Sequence, residues 1–162
     1  MTKIERSIVI DRPVEEVWEF VHDTANNVLW QTTLAASEKL TEGPMDVGTR
    51  VREVRHFLGL RIESTWEMTE YEPNRTSAIR GVSGPIPLSG RYRVEAFEGG
   101  TRFTVTGELD AHGFFKLAEP VFARITRREL EANLGHLKDL LEAEETVRNP
   151  ARALADERVL GR

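Results

Sequence analysis

Two unequal rhythms divide this chain. As far as about Ala111 it runs in short alternating segments broken by glycine and proline; from Phe115 to about Glu145 it reads as one long amphipathic helix with no proline after Pro120. That order, strands first and one long helix last, constrains the fold more than any single motif. The helix is too apolar on one face to stand alone in water, so the strands must offer a curved surface that takes it. A curved sheet gripping a helix leaves a hollow between the two, and a hollow points to a small-molecule site.

Lys3 to Asp11 alternates, with Ile4, Ile8 and Ile10 on one side, and predicts the first strand. Asp11-Arg12-Pro13 starts a helix, with Asp11 or Arg12 near the cap and Pro13 in the first turn; Val14, Val17, Trp18 and Val21 form its apolar stripe as far as His22-Asp23. Thr24 to Trp30 predicts a second short helix or turn. Strand-like segments follow at Leu34–Leu40, Thr49–Leu58, Arg61–Tyr71, Arg75–Val82, Leu88–Phe97 and Thr101–Ala111, separated by glycine and proline turns of which Glu98-Gly99-Gly100 is the strongest. Short connections make successive strands antiparallel neighbours, so seven strands predict a meander curled toward a partial barrel, with Gly81, Gly90 and Gly107 as bending points. The fold class is therefore α+β. The expected organisation is one domain over 1–145 and a tail over 146–162 with room for a short helix.

Composition removes whole classes of function. The net charge of −5 argues against nucleic acid as a partner. The absence of cysteine excludes disulfides, thiolate metal sites and a cysteine nucleophile. His22, His56, His112 and His136 form neither an HxH nor an HExxH pattern, so no metal site is expected. Ser83-Gly84 and Ser89-Gly90 are not nucleophile elbows, and no GxGxxG or Walker sequence offers a phosphate cradle. No cofactor is expected. No signal-peptide core appears, and no stretch approaches the roughly 20 apolar residues of a membrane span. The expected location is the cytoplasm, and the expected state a monomer or homodimer.

On a helical wheel, Phe122, Leu130, Leu137, Leu140 and Leu141 share one face, with Ile125 and Leu134 at its edges. Thr126, Asn133 and, less centrally, Glu129 fall inside that face as a polar stripe. Against a solid core each would cost about 1–3 kcal/mol unless paired. Either the stripe faces a cavity, or it bonds to neighbouring backbone, or the helix rolls enough to expose Glu129.

The segments SIVIDRPVEEVWEFVHD, an isolated Trp30, DVGTRV, WEMTEYEPN, SGPIP, GGTRFTVTGEL and NLGHLKDLLE resemble the polyketide cyclase/dehydrase-like proteins of the START superfamily, over about residues 3–145. The resemblance implies the helix-grip fold of the birch pollen allergen: a seven-stranded antiparallel sheet around a long C-terminal helix, two short helices after the first strand, and an apolar cavity between. It implies a family of aromatic cyclases, lipid and hormone carriers and chaperone activators, so fold does not settle function.

Trp30, Phe57, Trp66, Tyr92, Phe103 and Phe122 are the aromatic candidates for the cavity wall, with Thr126 and Asn133 as its polar members. Trp18 is expected in the core. Glu53, Arg55 and Glu129 are the candidate polar cavity groups. The strand over Thr49–Leu58 has no clear phase: its odd face carries Val51, Glu53, Arg55 and Phe57, its even face Arg52, Val54, His56 and Leu58. With the odd face inward, Glu53 and Arg55 would sit two apart beside Tyr92 and could orient a carbonyl and move protons. The pattern of charges favours the other reading, a solvent-facing pair. The leading expectation is a protein that binds a small hydrophobic or aromatic molecule between sheet and helix. One alternative is a cofactor-independent cyclase or dehydratase acting on a polyketide-like substrate in the same cavity, with no catalytic residue assigned. The other is a chaperone-activator-like interaction protein with a closed interior and an exposed apolar patch.

Overall fold

The computed structural model describes residues 2–85, 87–109 and 115–148. In chain order they form β1 (Thr2–Ile10), α1 (Val14–His22), α2 (Thr24–Trp30), β2 (Leu34–Lys39), β3 (Arg50–Phe57), β4 (Leu60–Glu72), β5 (Thr76–Ser83), β6 (Leu88–Phe97), β7 (Gly100–Leu109) and α3 (Phe115–Arg148). The strands make one antiparallel sheet in the order β1-β7-β6-β5-β4-β3-β2. This is the helix-grip architecture that the strand and helix rhythms predict. Most of the tail expected over 146–162 lies outside the described residues.

Local chemistry explains the elements. Pro13 is itself the N-cap of α1, with extended backbone, so the helix starts at Val14, just after the expected cap at Asp11 or Arg12, and Glu15 and Glu16 place negative charge in the first turn. Asp23 ends α1 and caps α2, its side chain accepting from the Ala25 backbone N–H at 3.0 Å. Leu58 and Gly59, with φ of 51° and 76°, make the two-residue β3–β4 turn, and Glu98 and Gly99, at 48° and 82°, make the β6–β7 turn. Gly100 has to be glycine for a different reason: a Cβ there would sit 2.4 Å from the Ile10 carbonyl oxygen, where the last strand crosses the end of the first.

The sheet edges are covered or short. α3 lies along the edge strand β1, with Lys138 Nζ donating to the Val9 carbonyl at 2.8 Å and Arg6 paired to Glu131 at 2.8 Å. β2, at the other edge, has only six residues. The β4–β5 pairing is irregular at Thr65/Trp66 and Met68/Glu70, the kind of register shift that bends a strand and adds local twist. The core gathers at one end of this grip: Ile10, Val17, Trp18, Val21, Val94 and Phe103 pack against Leu134, Leu137 and Leu141 of α3.

Candidate functional site

At the other end of the grip the space between sheet and α3 is hollow, with a volume of about 330 Å³. Backbone pairing explains the void. Ile4, Gly107, Gly90 and Ile79 lie abreast on β1, β7, β6 and β5, and all four line the cavity. The two glycines leave the middle of that row without side chains, and a Cβ on Gly107 would touch nothing within 4 Å. Nearby, Gly84 has a φ of 131°, and a Cβ there would fall 2.9 Å from that of Ser64. The β5–β6 connection is thereby drawn tightly against β4 at the cavity's edge.

The structure places the candidates as follows. Trp30, Phe57, Trp66, Tyr92 and Phe122 are on the wall, with Thr126 and Asn133 of α3. Phe103 is not: it is fully buried in the core cluster with Leu134, Leu137 and Leu141, and the Trp30 and Tyr92 rings, both on the wall, pack edge-on against it. Phe57 and Phe122 meet edge to face with centroids 5.4 Å apart, so the end of β3 touches the first half of α3.

Glu53, Arg55 and Glu129 also reach the wall, and the solvent-facing reading of the Glu53–Arg55 pair is overturned. Glu53 is 6% exposed. The reason is register: the Leu58-Gly59 turn pairs Glu53 with Ser64 and Val51 with Trp66, so the odd residues of β3 share the inward face of β4. Arg55 Nη2 donates to Glu53 at 2.9 Å and to Gln31 Oε1 at 2.7 Å, while Nη1 reaches the Thr33 hydroxyl at 3.4 Å. The Thr33 hydroxyl in turn donates to Glu129 on α3. Asn133 Oδ1 accepts from both the backbone N–H and the hydroxyl of Thr32, at 3.0 and 3.1 Å. Glu129 and Asn133 are therefore tied to the segment after α2. Thr126 makes no side-chain hydrogen bond among the described residues.

Two further groups on the wall were missed by the sequence reading. His22 Nδ1 donates to the Trp18 carbonyl at 2.8 Å, which leaves Nε2 to accept from the Ser77 hydroxyl at 2.8 Å. Burial lowers its pKa from 6.5 to about 4, against the raising effect of the Trp18 bond, so the ring is neutral near pH 7 and a weak base. The signal was present: His22 continues the apolar stripe four residues after Trp18. For Gln31, Thr32 and Thr33, on an irregular connection, periodicity offers no signal. The Tyr92 phenol is pushed well above its ordinary value, first by burial and then by Glu53, with Arg55 opposing. It stays protonated, and its hydroxyl makes no hydrogen bond among the described residues, so this lining residue keeps a donor without a partner.

Known proteins place this arrangement. The chain is similar in structure to the Thermus thermophilus protein TTHA0849, with a TM-score of 0.77 at 17% identity, covering 88% of this chain and 99% of that one. It is similar to the Zhui aromatase/cyclase from Streptomyces sp. R1128, with a TM-score of 0.74 at 22% identity, covering 93% and 98%. It also resembles the di-domain aromatase/cyclase BexL of the BE-7585A biosynthetic pathway, with a TM-score of 0.71 at 21% identity, covering 88% of this chain and 47% of that one. At these identities the likeness speaks for the fold alone. No curated protein matches by sequence. The family model described as polyketide cyclase/dehydrase and lipid transport matches residues 1–142, nearly the whole described chain, and the protein belongs to that family.

Proposed function

We propose that the chain binds a small, largely apolar molecule, hydrophobic or aromatic, in the cavity between sheet and α3. The observation that carries this reading is the way the wall spends its polarity. Glu53, Arg55, Gln31, Thr33 and Glu129 are bonded to one another, and Asn133 is bonded to Thr32. What remains for an occupant is mostly aromatic and aliphatic surface, with the Tyr92 and Thr126 hydroxyls, the Trp30 indole N–H and Asn27 Oδ1 among the polar groups left without a partner. A volume of about 330 Å³ suits a molecule of drug size at the small end of the usual range. Native mass spectrometry of the purified full chain, before and after denaturing extraction, tests it. A small molecule should leave with denaturation, and Gly107→Leu, which fills open space, should lower its occupancy about tenfold or more, equivalent to 1.4 kcal/mol. A wild-type protein that carries nothing and takes up no 1-anilinonaphthalene-8-sulfonate would sink the proposal.

A second reading, a cyclase or dehydratase of the same cavity, is favoured by one observation: Tyr92, held in its protonated form, stands beside the Glu53–Arg55 pair. In that reading Tyr92 donates a hydrogen bond to a substrate carbonyl, Arg55 holds the negative charge that develops on its oxygen, and the Glu53 carboxylate accepts the proton leaving the adjacent carbon. Tyr92→Phe separates the two: turnover of a poly-β-ketone chain should drop while retention of the bound molecule survives. The third expectation, a chaperone-activator-like protein, asked for a closed interior and an exposed apolar patch; Pro85 and Leu88 both line the cavity and are exposed, which speaks against the first of these.

A further inference from the structure

The cavity opens beside the first half of α3, and the charge there departs from the rest of the molecule. Among the described residues, every arginine from Arg6 to Arg93 meets a carboxylate, and Arg102 lies over the Phe97 ring. Arg124, Arg127 and Arg128 on α3 are exposed and have no carboxylate partner among the described residues, and neither has Lys116. Among the described residues of a chain with a net charge of −5, the arginines other than Arg102 meet carboxylates everywhere but on this one stretch of helix, where four cations stand unpaired.

The same stretch carries aliphatic side chains in water. Leu117 is 84% exposed and Val121 64%. With Arg124 and Arg128 they follow steps of four, three and four, so they form a single outward stripe opposite Phe122 and Thr126 on the cavity side. The β3–β4 turn adds Leu58 and Leu60, 70% and 65% exposed, and the Phe57–Phe122 contact holds that turn beside α3. Leu88, 51% exposed, stands on the cavity's own edge. Exposed aliphatic residues mixed with unpaired cations match a surface that is apolar a few ångströms down and negative at its face. A nucleic acid would use the cations and leave the aliphatic side chains in water.

We propose that this end of the grip docks on the surface of an anionic phospholipid bilayer, with Leu117, Val121, Leu58 and Leu60 entering the interface and Lys116, Arg124, Arg127 and Arg128 meeting the headgroups. The inference deepens the binding reading and rests on it for its purpose. Docking brings the cavity's opening to the phase in which an apolar occupant resides, so the molecule passes between bilayer and cavity without crossing water.

Flotation of the full chain with vesicles tests it. Vesicles of equal parts phosphatidylcholine and phosphatidylglycerol should carry about tenfold more protein than phosphatidylcholine alone, and rising salt should erase the difference. The triple variant Arg124→Glu, Arg127→Glu, Arg128→Glu should lose about tenfold or more, since each cation near such a surface contributes severalfold. Leu117→Ser with Val121→Ser should lose several-fold while keeping the salt dependence, and because both residues are exposed its fold should be intact by circular dichroism. Failure to float with the anionic vesicles, or flotation of the triple variant at wild-type level, would overturn docking. So would retention on heparin that the Leu117→Ser, Val121→Ser variant leaves unchanged while vesicles capture nothing. Uptake of 1-anilinonaphthalene-8-sulfonate by protein that ignores vesicles would overturn docking and leave the cavity reading standing. Flotation by protein that takes up no probe would do the reverse.

Discussion

The two ends of the grip use the same helix and the same sheet for opposite purposes. At the filled end Leu134, Leu137 and Leu141 of α3 meet Ile10, Val17, Trp18 and Phe103, and almost nothing there is exposed. At the hollow end the helix presents Phe122, Thr126 and Glu129, the sheet presents Gly90 and Gly107, and the space stays open. The contrast shows a division of labour along one helix. Stability is concentrated where side chains interlock, and that frees the other end to keep a void.

The sharpest way to break this comparison is to cut into the filled end. Leu137, fully buried, should cost about 4 kcal/mol when changed to Ala, read by urea denaturation, since its neighbours cannot collapse into the gap. A cost below about 1 kcal/mol would mean that this end is loose as well. His22, between the two ends, should make stability depend on pH. Its folded pKa of about 4 lies below the ordinary 6.5, so between those values the unfolded chain binds more protons than the native one. Its contribution is whole above about 6.5 and is lost as pH falls toward 4, a loss on the order of 3 kcal/mol. Glu67 and Glu70, whose pKa values are lowered by Arg50 and Arg91 respectively, also lose stability in acid. The slope should therefore be read as the difference between wild type and His22→Asn, which keeps the carboxylate part and drops the rest. Equal slopes would refute the buried neutral ring.

Smaller effects belong to the hollow end. Glu53→Gln should cost about 2 kcal/mol by leaving the half-buried Arg55 without its counter-charge, whereas Glu53→Met with Arg55→Met should recover most of that loss. If the double variant is no better than the single one, the pair is more than a satisfied polar island. Thr126→Val should change stability by less than about 0.5 kcal/mol, because its hydroxyl has no partner to lose. A cost comparable to that of Leu137→Ala would show that this part of α3 packs as tightly as the other and would erase the distinction.

Much of this architecture could be read from the chain because its signals are local. Alternation marks β4 through Ile62, Ser64, Trp66 and Met68, and spacing marks α3 through Phe122, Leu130 and Leu137. Both depend only on which face of an element is wet. β3 is different. Its two faces each carry charge, so hydrophobicity alone cannot orient it. The information lay in the neighbouring hairpin: the two-residue turn at Leu58-Gly59 pairs Phe57 with Leu60, and the clear inward face of β4 then decides that Glu53 and Arg55 point inward. Phe103 went the other way. Its parity was read correctly, but whether an inward residue meets core or void depends on what stands across from it. The Gln31–Thr33 segment that receives Arg55, Glu129 and Asn133 has no periodicity to read, and its place is set by contacts with residues about a hundred positions away.

The pairing of β1 with β7 has a consequence for how the protein comes into being. Thr2 lies opposite Leu109 and Ile10 opposite Thr101, so the first strand made has to wait for the last strand made. Closing a loop of about a hundred residues costs on the order of 4 kcal/mol in chain entropy before any contact repays it. The three isoleucines of β1 and the Trp18 face of α1 thus emerge before the elements that cover them, and α3, which completes their burial, emerges after all seven strands. Folding should be slow for a protein of this size, and N-terminal fragments should be prone to aggregate.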